Sequence, residues 1–240
     1  MCTVTYYPYS NGYYLLSNRD EKLTRKKAIL PAQYTINDTS VIFPKDPIAG
    51  GTWIALKENG DALCLLNGAF TNFIDTGNYS VSRGAIVKEI AGWYDMIAAF
   101  QAIYLEDTAP FTLIAVNNSK LWECRWDGKK KYYKKIKEDI PHIWSSATLY
   151  DEKQKSQREE WFSAWVAQNP CPGIYSLFNF HKSAGVGNPA IDLIMNREDK
   201  LSTVSITGII ANSSECLMQY LDLKNNDSTT ISFADRKEYI

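Results

Sequence analysis

Histidine is scarce in this sequence, and no pattern of metal ligands is present. The 240 residues include two histidines, His142 and His181, which are far apart, and no pair of carboxylates has the spacing of metal ligands. The five cysteines form no C-x-x-C pair. We therefore expect neither a metal site nor a bound cofactor.

Long apolar runs and a strong charge of one sign are also missing. No apolar run approaches the roughly 20 residues that a membrane-spanning helix needs, and the N-terminus lacks the basic start and apolar core of a signal peptide. The net charge of −1 leaves no electrostatic footprint for nucleic acid. We expect a cytoplasmic protein with free thiols, without a transmembrane segment and without a nucleic-acid partner.

The composition is that of a globular protein, with 45% hydrophobic and 22% charged residues. A chain of this length can build one large domain with a substantial core. No linker and no internal repeat divides the sequence. We therefore predict a single domain over residues 1–240.

Most apolar segments are predicted to be strands that pair as hairpins. The Asn11-Gly12 pair lies between the strand-like segments 3–7 and 13–17, and Asn-Gly is a strong hairpin signal. Because hairpins pair neighbouring strands, the sheets should be largely antiparallel. Further strands are predicted at 53–56, 62–66, 111–116, 121–126, 203–210, 216–223 and 229–233.

Three segments have helical patterns. Apolar residues at spacings of three and four predict one long helix over residues 82–105. Shorter helices are predicted over 151–168, where Ser156 to Glu159 resembles a capping box, and over 175–182. Residues 31–47 contain three prolines and are predicted to form a loop.

Cys2 is the first candidate for chemistry. It follows the initiator methionine directly, so removal of Met1 would leave a cysteine with a free α-amine at the N-terminus. A thiol attacks as thiolate, with a reference pKa of about 8.5, and an α-amine with a pKa of roughly 7.7–8.0 can accept a proton. One residue would then combine nucleophile and base. Taken alone, a buried strand cysteine is the simpler interpretation.

Arg19 and Asp20 are the next candidates, because a hairpin returns the end of its second strand to the start of its first. Both side chains should then lie near Cys2. A guanidinium favours a thiolate, and a carboxylate can hold an α-amine in place. The alternative is an ordinary charged strand end on the surface.

The opening segment resembles the NRDE family of transport and Golgi organisation protein 2-like proteins. Its members begin Met-Cys, continue through two strands and carry Asn-Arg-Asp-Glu, as residues 18–21 do here. Further segments resemble the family in its order, at 50–56, 65–67, 82–84 and 111–115. The resemblance implies an α+β fold, a four-layer α-β-β-α sandwich of two mainly antiparallel sheets, as in N-terminal nucleophile (Ntn) hydrolases.

The resemblance also implies site residues. Cys2 would be the nucleophile, Arg19 and Asp20 would orient and tune it, and Asn67 would donate to an oxyanion. Asn67 precedes a glycine, so a simple turn residue is an equal alternative. Ser146 stands where the family has asparagine and can still donate through its hydroxyl. Ser202 stands where an arginine is expected, with Arg197 several residues earlier.

Two functions follow from the resemblance. One is an N-terminal-cysteine hydrolase that acts on a non-peptide C–N bond, an amide. The other is a non-catalytic binding or trafficking protein for haem or a lipid-like ligand on the same fold. Both take a small-molecule partner, and whether the protein is an enzyme stays open between them.

Overall fold

The computed structural model describes residues 3–73, 79–198 and 200–233. Within these ranges the helices are α1 (Arg83–Ala91), α2 (Met96–Ala102), α3 (Glu152–Gln168) and α4 (Ile174–Ser183). The strands are β1 (Thr3–Tyr9), β2 (Gly12–Lys22), β3 (Ile29–Ile36), β4 (Thr39–Lys45), β5 (Ile54–Lys57), β6 (Ala62–Asn67), β7 (Phe111–Asn117), β8 (Lys120–Trp126), β9 (Lys131–Ile136), β10 (His142–Ser145), β11 (Asn196–Arg197), β12 (Leu201–Asn212), β13 (Cys216–Asp222) and β14 (Ser228–Ser232).

These strands form two seven-stranded sheets. The first has the order β10-β1-β2-β12-β13-β14, with β11 paired to β12, and the second runs from β3 to β9 in chain order. Each pairing between these strands is antiparallel. The prediction of largely antiparallel sheets built from hairpins is confirmed.

The two sheets stack face to face, and helices cover their outer faces. Val4 and Ile209 of the first sheet share a buried core with Phe43 of the second. On the other face of the first sheet, Leu16 packs with Leu177 of α4. Helices α1 and α2 pack on β5, β6 and β7 of the second sheet. The predicted α-β-β-α sandwich is therefore confirmed. None of the helices described here is both long and apolar enough to cross a membrane.

The β1–β2 hairpin is longer than predicted. Its second strand continues to Lys22, so Arg19 and Asp20 lie within the strand and not beyond its end. Successive side chains of a strand point to opposite faces. Arg19 consequently points between the two sheets, where it contacts Trp53, and Asp20 points toward the helical layer, where it contacts Tyr150.

A β-bulge interrupts the pairing of β2 with β12 beside these residues. Asp20 lies opposite Thr203 and Arg19 lies opposite Ser205, so Val204 is an extra residue on β12. Such bulges re-aim side chains and are frequent near active sites. Here the bulge directs Thr203 toward Asp20.

The helix predicted over residues 82–105 is two helices. Between them the chain leaves the helical path, and the Lys57 ammonium donates hydrogen bonds to the carbonyl oxygens of Trp93, at 2.7 Å, and Tyr94. Asp95 then caps α2 by accepting from two backbone N–H groups. The apolar period runs through this break because both helices pack on the same sheet, which is why periodicity alone does not reveal it.

The loop predicted over residues 31–47 is wrong, because β3 and β4 form a hairpin there. Its turn uses Asn37 and Asp38, with φ angles of 47° and 61°. These residues tolerate the left-handed region better than most. Pro31 lies where the β3–β4 register shifts, on a strand at the edge of the sheet, which is a position that accepts proline.

Helix α3 begins where it is predicted to begin, and a capping box closes its start. The Asp151 side chain accepts from the backbone N–H of Gln154, and the Gln154 side chain returns to the backbone N–H of Asp151. The segment from Ser156 to Glu159, which resembles a capping box in sequence, lies inside the helix and does not cap it. The predicted extents of α3 and α4 otherwise agree with the structure.

Candidate active site

A cleft of about 990 Å³ opens where the ends of both sheets meet the start of α1. Its volume lies near the top of the range of small-molecule sites. Arg19, Asp20 and Asn67, three of the predicted site residues, line this one cleft. Ser146 lies behind Asn67, and Cys2 lies outside the described residues, which begin at Thr3.

Thr3, the first residue that the structure describes, is held in place by several contacts. It lies between Asn18 of β2 and Ser145 of β10 in the first sheet, and it is 1% exposed. Its Oγ1 accepts a 2.7 Å hydrogen bond from Nη1 of Arg158 in α3. The start of β1 is therefore held on both edges and from the helical layer.

Arg19 is held in the wall of the cleft by an aromatic ring and two carboxylates. Its guanidinium carbon lies 4.4 Å from the centroid of the Trp53 ring, a cation–π arrangement. Its Nη2 is 3.1 Å from Oδ2 of Asp46 and 3.5 Å from Oε2 of Glu21. The side chain is only 4% exposed, so its positive charge has a fixed position at the cleft.

Asp46 is the anchor of this clamp. Its Oδ2 also accepts from Nε of Arg25 at 3.0 Å, and its Oδ1 accepts from the backbone N–H groups of Ile48 and Ala49, each at 2.9 Å. Burial alone would raise the pKa of Asp46. The backbone hydrogen bonds and the Arg25 charge together lower it by more, so the pKa of Asp46 lies below its usual value. Asp46 is thus an ionised partner for Arg19.

Both carboxylate oxygens of Asp20 have a donor. Oδ1 accepts from the Thr203 hydroxyl at 2.6 Å, and Oδ2 accepts from the Tyr150 hydroxyl at 3.1 Å. The residue is 4% exposed and still contributes to the cleft lining. Two donors on two oxygens fix the plane of the carboxylate as well as its position.

Asn67 is the last residue of β6 and lines the cleft. Gly68 follows with a φ of 79°, so the chain does turn here, as the alternative interpretation predicted. Within the described ranges the side-chain amide of Asn67 has no hydrogen-bond partner. A turn residue with an uncommitted amide at a cleft can also donate to a ligand, so the two interpretations are compatible.

Ser146 is fully buried and its hydroxyl is engaged. It donates to the carbonyl oxygen of Asn67 at 2.9 Å and lies 2.9 Å from Oγ1 of Thr148. A hydroxyl has one proton to donate. In this arrangement Ser146 holds the backbone of Asn67 and does not present its proton to the cleft.

The second departure from the family is Ser202, which stands where an arginine is expected. The nearest arginine in this part of the chain is Arg197. Ser202 pairs with Asn196 of β11 and Glu21 of β2. Arg197, also in β11, donates from Nη2 to the carbonyl of Leu149 at 2.7 Å. A guanidinium from this part of the chain therefore bonds Leu149, a residue that lines the cleft, although Arg197 itself does not line it.

A buried histidine of α4, His181, contacts both strands of the first hairpin. Nε2 of His181 lies 2.7 Å from the Thr5 hydroxyl, and Nδ1 lies 2.6 Å from Oδ1 of Asn18. Asn18 donates through Nδ2 to the Leu193 carbonyl, so its Oδ1 is the acceptor and Nδ1 of His181 carries the proton. Burial, together with the Arg158 charge, lowers the pKa of His181 to about 3. It is a neutral structural residue.

The sequence does not reveal the residues that form hydrogen bonds or ion pairs with the predicted site residues. Asp46 lies between two prolines, in a segment whose sequence predicts a loop, although a carboxylate there is well placed to cap the following turn. Tyr150 and Arg158 carried no motif. Their partners are distant in sequence, so only the folded chain brings them to Asp20 and Thr3.

The described part of the chain shows no cluster of side chains that could hold a metal ion. Ranges 3–73, 79–198 and 200–233 contain no cluster of three or more His, Cys, Asp or Glu side chains arranged to hold a metal ion. The structure shows no disulfide among the described cysteines, which are Cys64, Cys124, Cys171 and Cys216.

The two stacked sheets with helices on their outer faces define an Ntn-hydrolase-like fold. A Caenorhabditis elegans N-acylethanolamine-hydrolyzing acid amidase ortholog is similar, with a TM-score of 0.61 and 12% identity over 87% of this chain and 92% of that one. A mutant conjugated bile acid hydrolase from Clostridium perfringens has a TM-score of 0.60 and 9% identity over 97% and 92%.

The sequence itself identifies the family. The chain belongs to the Transport and Golgi organisation 2 family, whose model matches residues 1–216. None of the curated proteins matches this sequence. The resemblance drawn from the opening segment is confirmed.

Proposed function

We propose that this protein is an N-terminal-cysteine hydrolase that cleaves a non-peptide C–N bond in an amide substrate, with Cys2 as the nucleophile. The observation that supports it most is the convergence of Arg19, Asp20 and Asn67 on one cleft. Thr3, which follows Cys2, pairs with the residue before Arg19. The names of the similar structures, an amidase ortholog and a hydrolase of conjugated bile acids, agree with this reaction class.

In the proposed reaction, the sulfur of Cys2 attacks the amide carbonyl carbon. The α-amine of the same residue takes the thiol proton and delivers it to the leaving nitrogen. The C–N bond breaks, an amine leaves, and a thioester with Cys2 remains. Water then attacks the thioester, which releases a carboxylic acid and restores the thiol.

The side chains at the cleft have separate proposed roles. The amide of Asn67, which has no partner among the described residues, donates to the oxyanion of the tetrahedral intermediate. Loss of one such donor typically costs about 10²–10³ in rate. The fixed charge of Arg19 favours the thiolate, and Asp20 orients the α-amine. Ser146 contributes indirectly, by holding Asn67 through the hydrogen bond to its backbone.

The proposed setting is the cytoplasm, and the proposed partner is a small molecule. Free thiols persist in reducing compartments, and the four described cysteines form no disulfide with one another. The cleft volume of about 990 Å³ suits a small-molecule ligand.

A binding protein on the same fold is the second candidate. The size of the cleft and the name of the family, Transport and Golgi organisation 2, favour it. For haem the described site is poorly suited, because neither histidine lines the cleft: His181 is buried under the first hairpin and His142 bonds the Lys137 carbonyl. A lipid-like ligand is the better form of this alternative.

Mass spectrometry and acyl trapping test the enzymatic proposal. The purified protein should lack Met1, and an acyl-transfer electrophile should leave a hydroxylamine-sensitive adduct on Cys2. Cys2→Ala should abolish the adduct, and the matched variant Cys171→Ala, which removes the exposed thiol, should retain it. Retained Met1, or an adduct that survives in Cys2→Ala, would exclude the proposed reaction.

A further inference from the structure

Tyr150 stands between Asp20 and a second cavity. Its hydroxyl donates to Oδ2 of Asp20 over 3.1 Å. Its side chain also lines a cavity of about 510 Å³, which adjoins the main cleft because Thr148 and Leu149 line both. A residue with 3% exposure thus connects the carboxylate to a separate solvent-accessible space.

Two guanidinium groups hold the ring of Tyr150. The guanidinium carbon of Arg158 lies 3.5 Å from the ring centroid, and that of Arg197 lies 5.3 Å away. Both are distances at which cation–π attraction is significant. The ring is therefore restrained independently of its hydroxyl group.

Backbone carbonyl groups fix both arginines in turn. Arg158 donates to the carbonyls of Ile191, at 2.8 Å from Nη2, and Asp192. Arg197 donates to the carbonyl of Ala190 at 3.1 Å. Arg158 also reaches the Thr3 hydroxyl. The same cation thus steadies the start of β1 and the ring that donates to Asp20.

We infer that Tyr150 is a positioning residue of the candidate active site, whose hydroxyl fixes the carboxylate of Asp20 for its work on Cys2. The inference rests on the proposed function. Tyr150 acts on one oxygen of the carboxylate and Thr203 acts on the other. Hydrogen bonds to a charged acceptor are the stronger kind, so loss of the Tyr150 donor releases one side of Asp20 while the ring stays in place.

The alkylation rate of Cys2 tests this inference. In Tyr150→Phe, which keeps the stacked ring, Cys2 should react with iodoacetamide about tenfold more slowly, as expected for one hydrogen bond to a charged group. Peptide mapping separates Cys2 from the exposed Cys171, whose rate in the same sample serves as a reference. Tyr6→Phe is the matched control, because its hydroxyl donates to the Glu138 carbonyl at 2.9 Å, away from Asp20 and from the reference thiol.

The decisive comparison is made without the carboxylate. In an Asp20→Ala background, Tyr150→Phe should leave the Cys2 rate unchanged, because its effect passes through Asp20. If Asp20→Ala does not fold, Thr203→Val replaces it. The double variant Tyr150→Phe/Thr203→Val should then lose less than the product of the two single losses, because release of either oxygen frees the carboxylate.

The outcomes separate the inference from the proposed function. A slow Cys2 in Tyr150→Phe whose dependence disappears without Asp20 supports the inference. An equal effect in both backgrounds, no effect in the wild-type background, or a multiplicative loss with Thr203→Val would overturn it and leave the proposed function standing. If processed wild-type protein shows no Cys2 reaction above the Cys171 reference, both are wrong.

Discussion

The hydroxyl of Ser146 donates to the carbonyl oxygen of Asn67, and this 2.9 Å bond joins the two sheets at the cleft. Ser146 directly follows β10 of the first sheet, and Asn67 ends β6 of the second. The bond is fully buried on the serine side. It therefore ties the candidate oxyanion donor to the sheet that contains β1, the strand that begins at Thr3.

Removal of this bond should cost stability. We expect Ser146→Ala to lower the free energy of unfolding by about 1–2 kcal/mol, because the Asn67 carbonyl loses its buried donor. Urea denaturation followed by tryptophan fluorescence measures the change. Ser183→Ala is the control, since its hydroxyl also donates to a carbonyl, that of Asn179, but at an exposed position. Equal losses in the two variants would contradict the structural role of Ser146.

Asp46→Asn should destabilise the clamp on Arg19. The change leaves two guanidinium groups without their shared counter-charge, and we expect a loss of about 2–3 kcal/mol, as for a broken, largely buried ion pair. Asp227→Asn, which removes an exposed partner of Lys27, should have little effect.

The pH dependence of the Asp46 contribution follows from its lowered pKa. In the unfolded chain the carboxyl titrates at its ordinary value of 3.8, and in the folded protein it titrates below this value. The stabilisation is present above pH 3.8 and is lost as the pH falls through the folded pKa. The stability difference between wild type and Asp46→Asn should therefore shrink at the most acidic pH values, and a constant difference down to the folded pKa would contradict this account.

His181 should make the protein less stable in mild acid. Its pKa is about 3 in the folded state and 6.5 in the unfolded chain. Between these values the unfolded chain binds a proton that the folded protein does not, so stability falls as the pH drops below 6.5. The slope from this residue approaches about 1.4 kcal/mol per pH unit.

Denaturation curves at pH 7, 6 and 5 measure this slope. His181→Gln should show a shallower decline than wild type, because the titrating group is removed. His142→Gln alters the other histidine, which bonds the Lys137 carbonyl at an exposed position, and should keep the wild-type slope. Identical slopes in wild type and His181→Gln would show that His181 is not buried as a neutral group.

Thiol labelling should divide the cysteines by burial. Burial raises the pKa of Cys64 and that of Cys124 to about 12, so both stay protonated and inaccessible at pH 8. We expect iodoacetamide to modify Cys171 and processed Cys2 in the native protein, and the buried cysteines only in urea. Peptide mass spectrometry reads the sites, and native labelling of Cys64 would contradict the described core.

The parts of the fold that the sequence predicts well have local causes. The β-branched and aromatic residues of segments 3–7 and 13–17, with a turn signal between them, specify the first hairpin without reference to the rest of the chain. The predicted Asn11-Gly12 turn is displaced by one residue, because Gly12 already begins β2 and pairs with Tyr9, which leaves Ser10 and Asn11 as the turn. The sequence does not predict the β3–β4 hairpin, because prolines interrupt its strand pattern. Pro31 is accepted there because β3 lies at the edge of the sheet, which only the folded structure shows. The single domain over residues 1–240 stays a prediction.

The candidate site also combines residues that the sequence reveals with residues that only the folded chain brings together. The geometry of the first hairpin predicts Arg19 and Asp20, the family resemblance adds Asn67, and the structure brings all three to one cleft. Their partners Asp46, Tyr150 and others are fixed by contacts across many residues of chain, such as the 130 that separate Tyr150 from Asp20. Sequence patterns describe local periodicity and do not encode such pairs.

The extra residue at Val204 reverses the alternation of side chains along β12. In a strand without a bulge, residues 203 and 205 would point to the same face; here Thr203 serves the carboxylate and Ser205 faces the interior between the sheets. Deletion of Val204 would remove the bulge and still leave Thr203 opposite Asp20 and Ser205 opposite Arg19. A conservative replacement at this position would likewise leave both faces as they are.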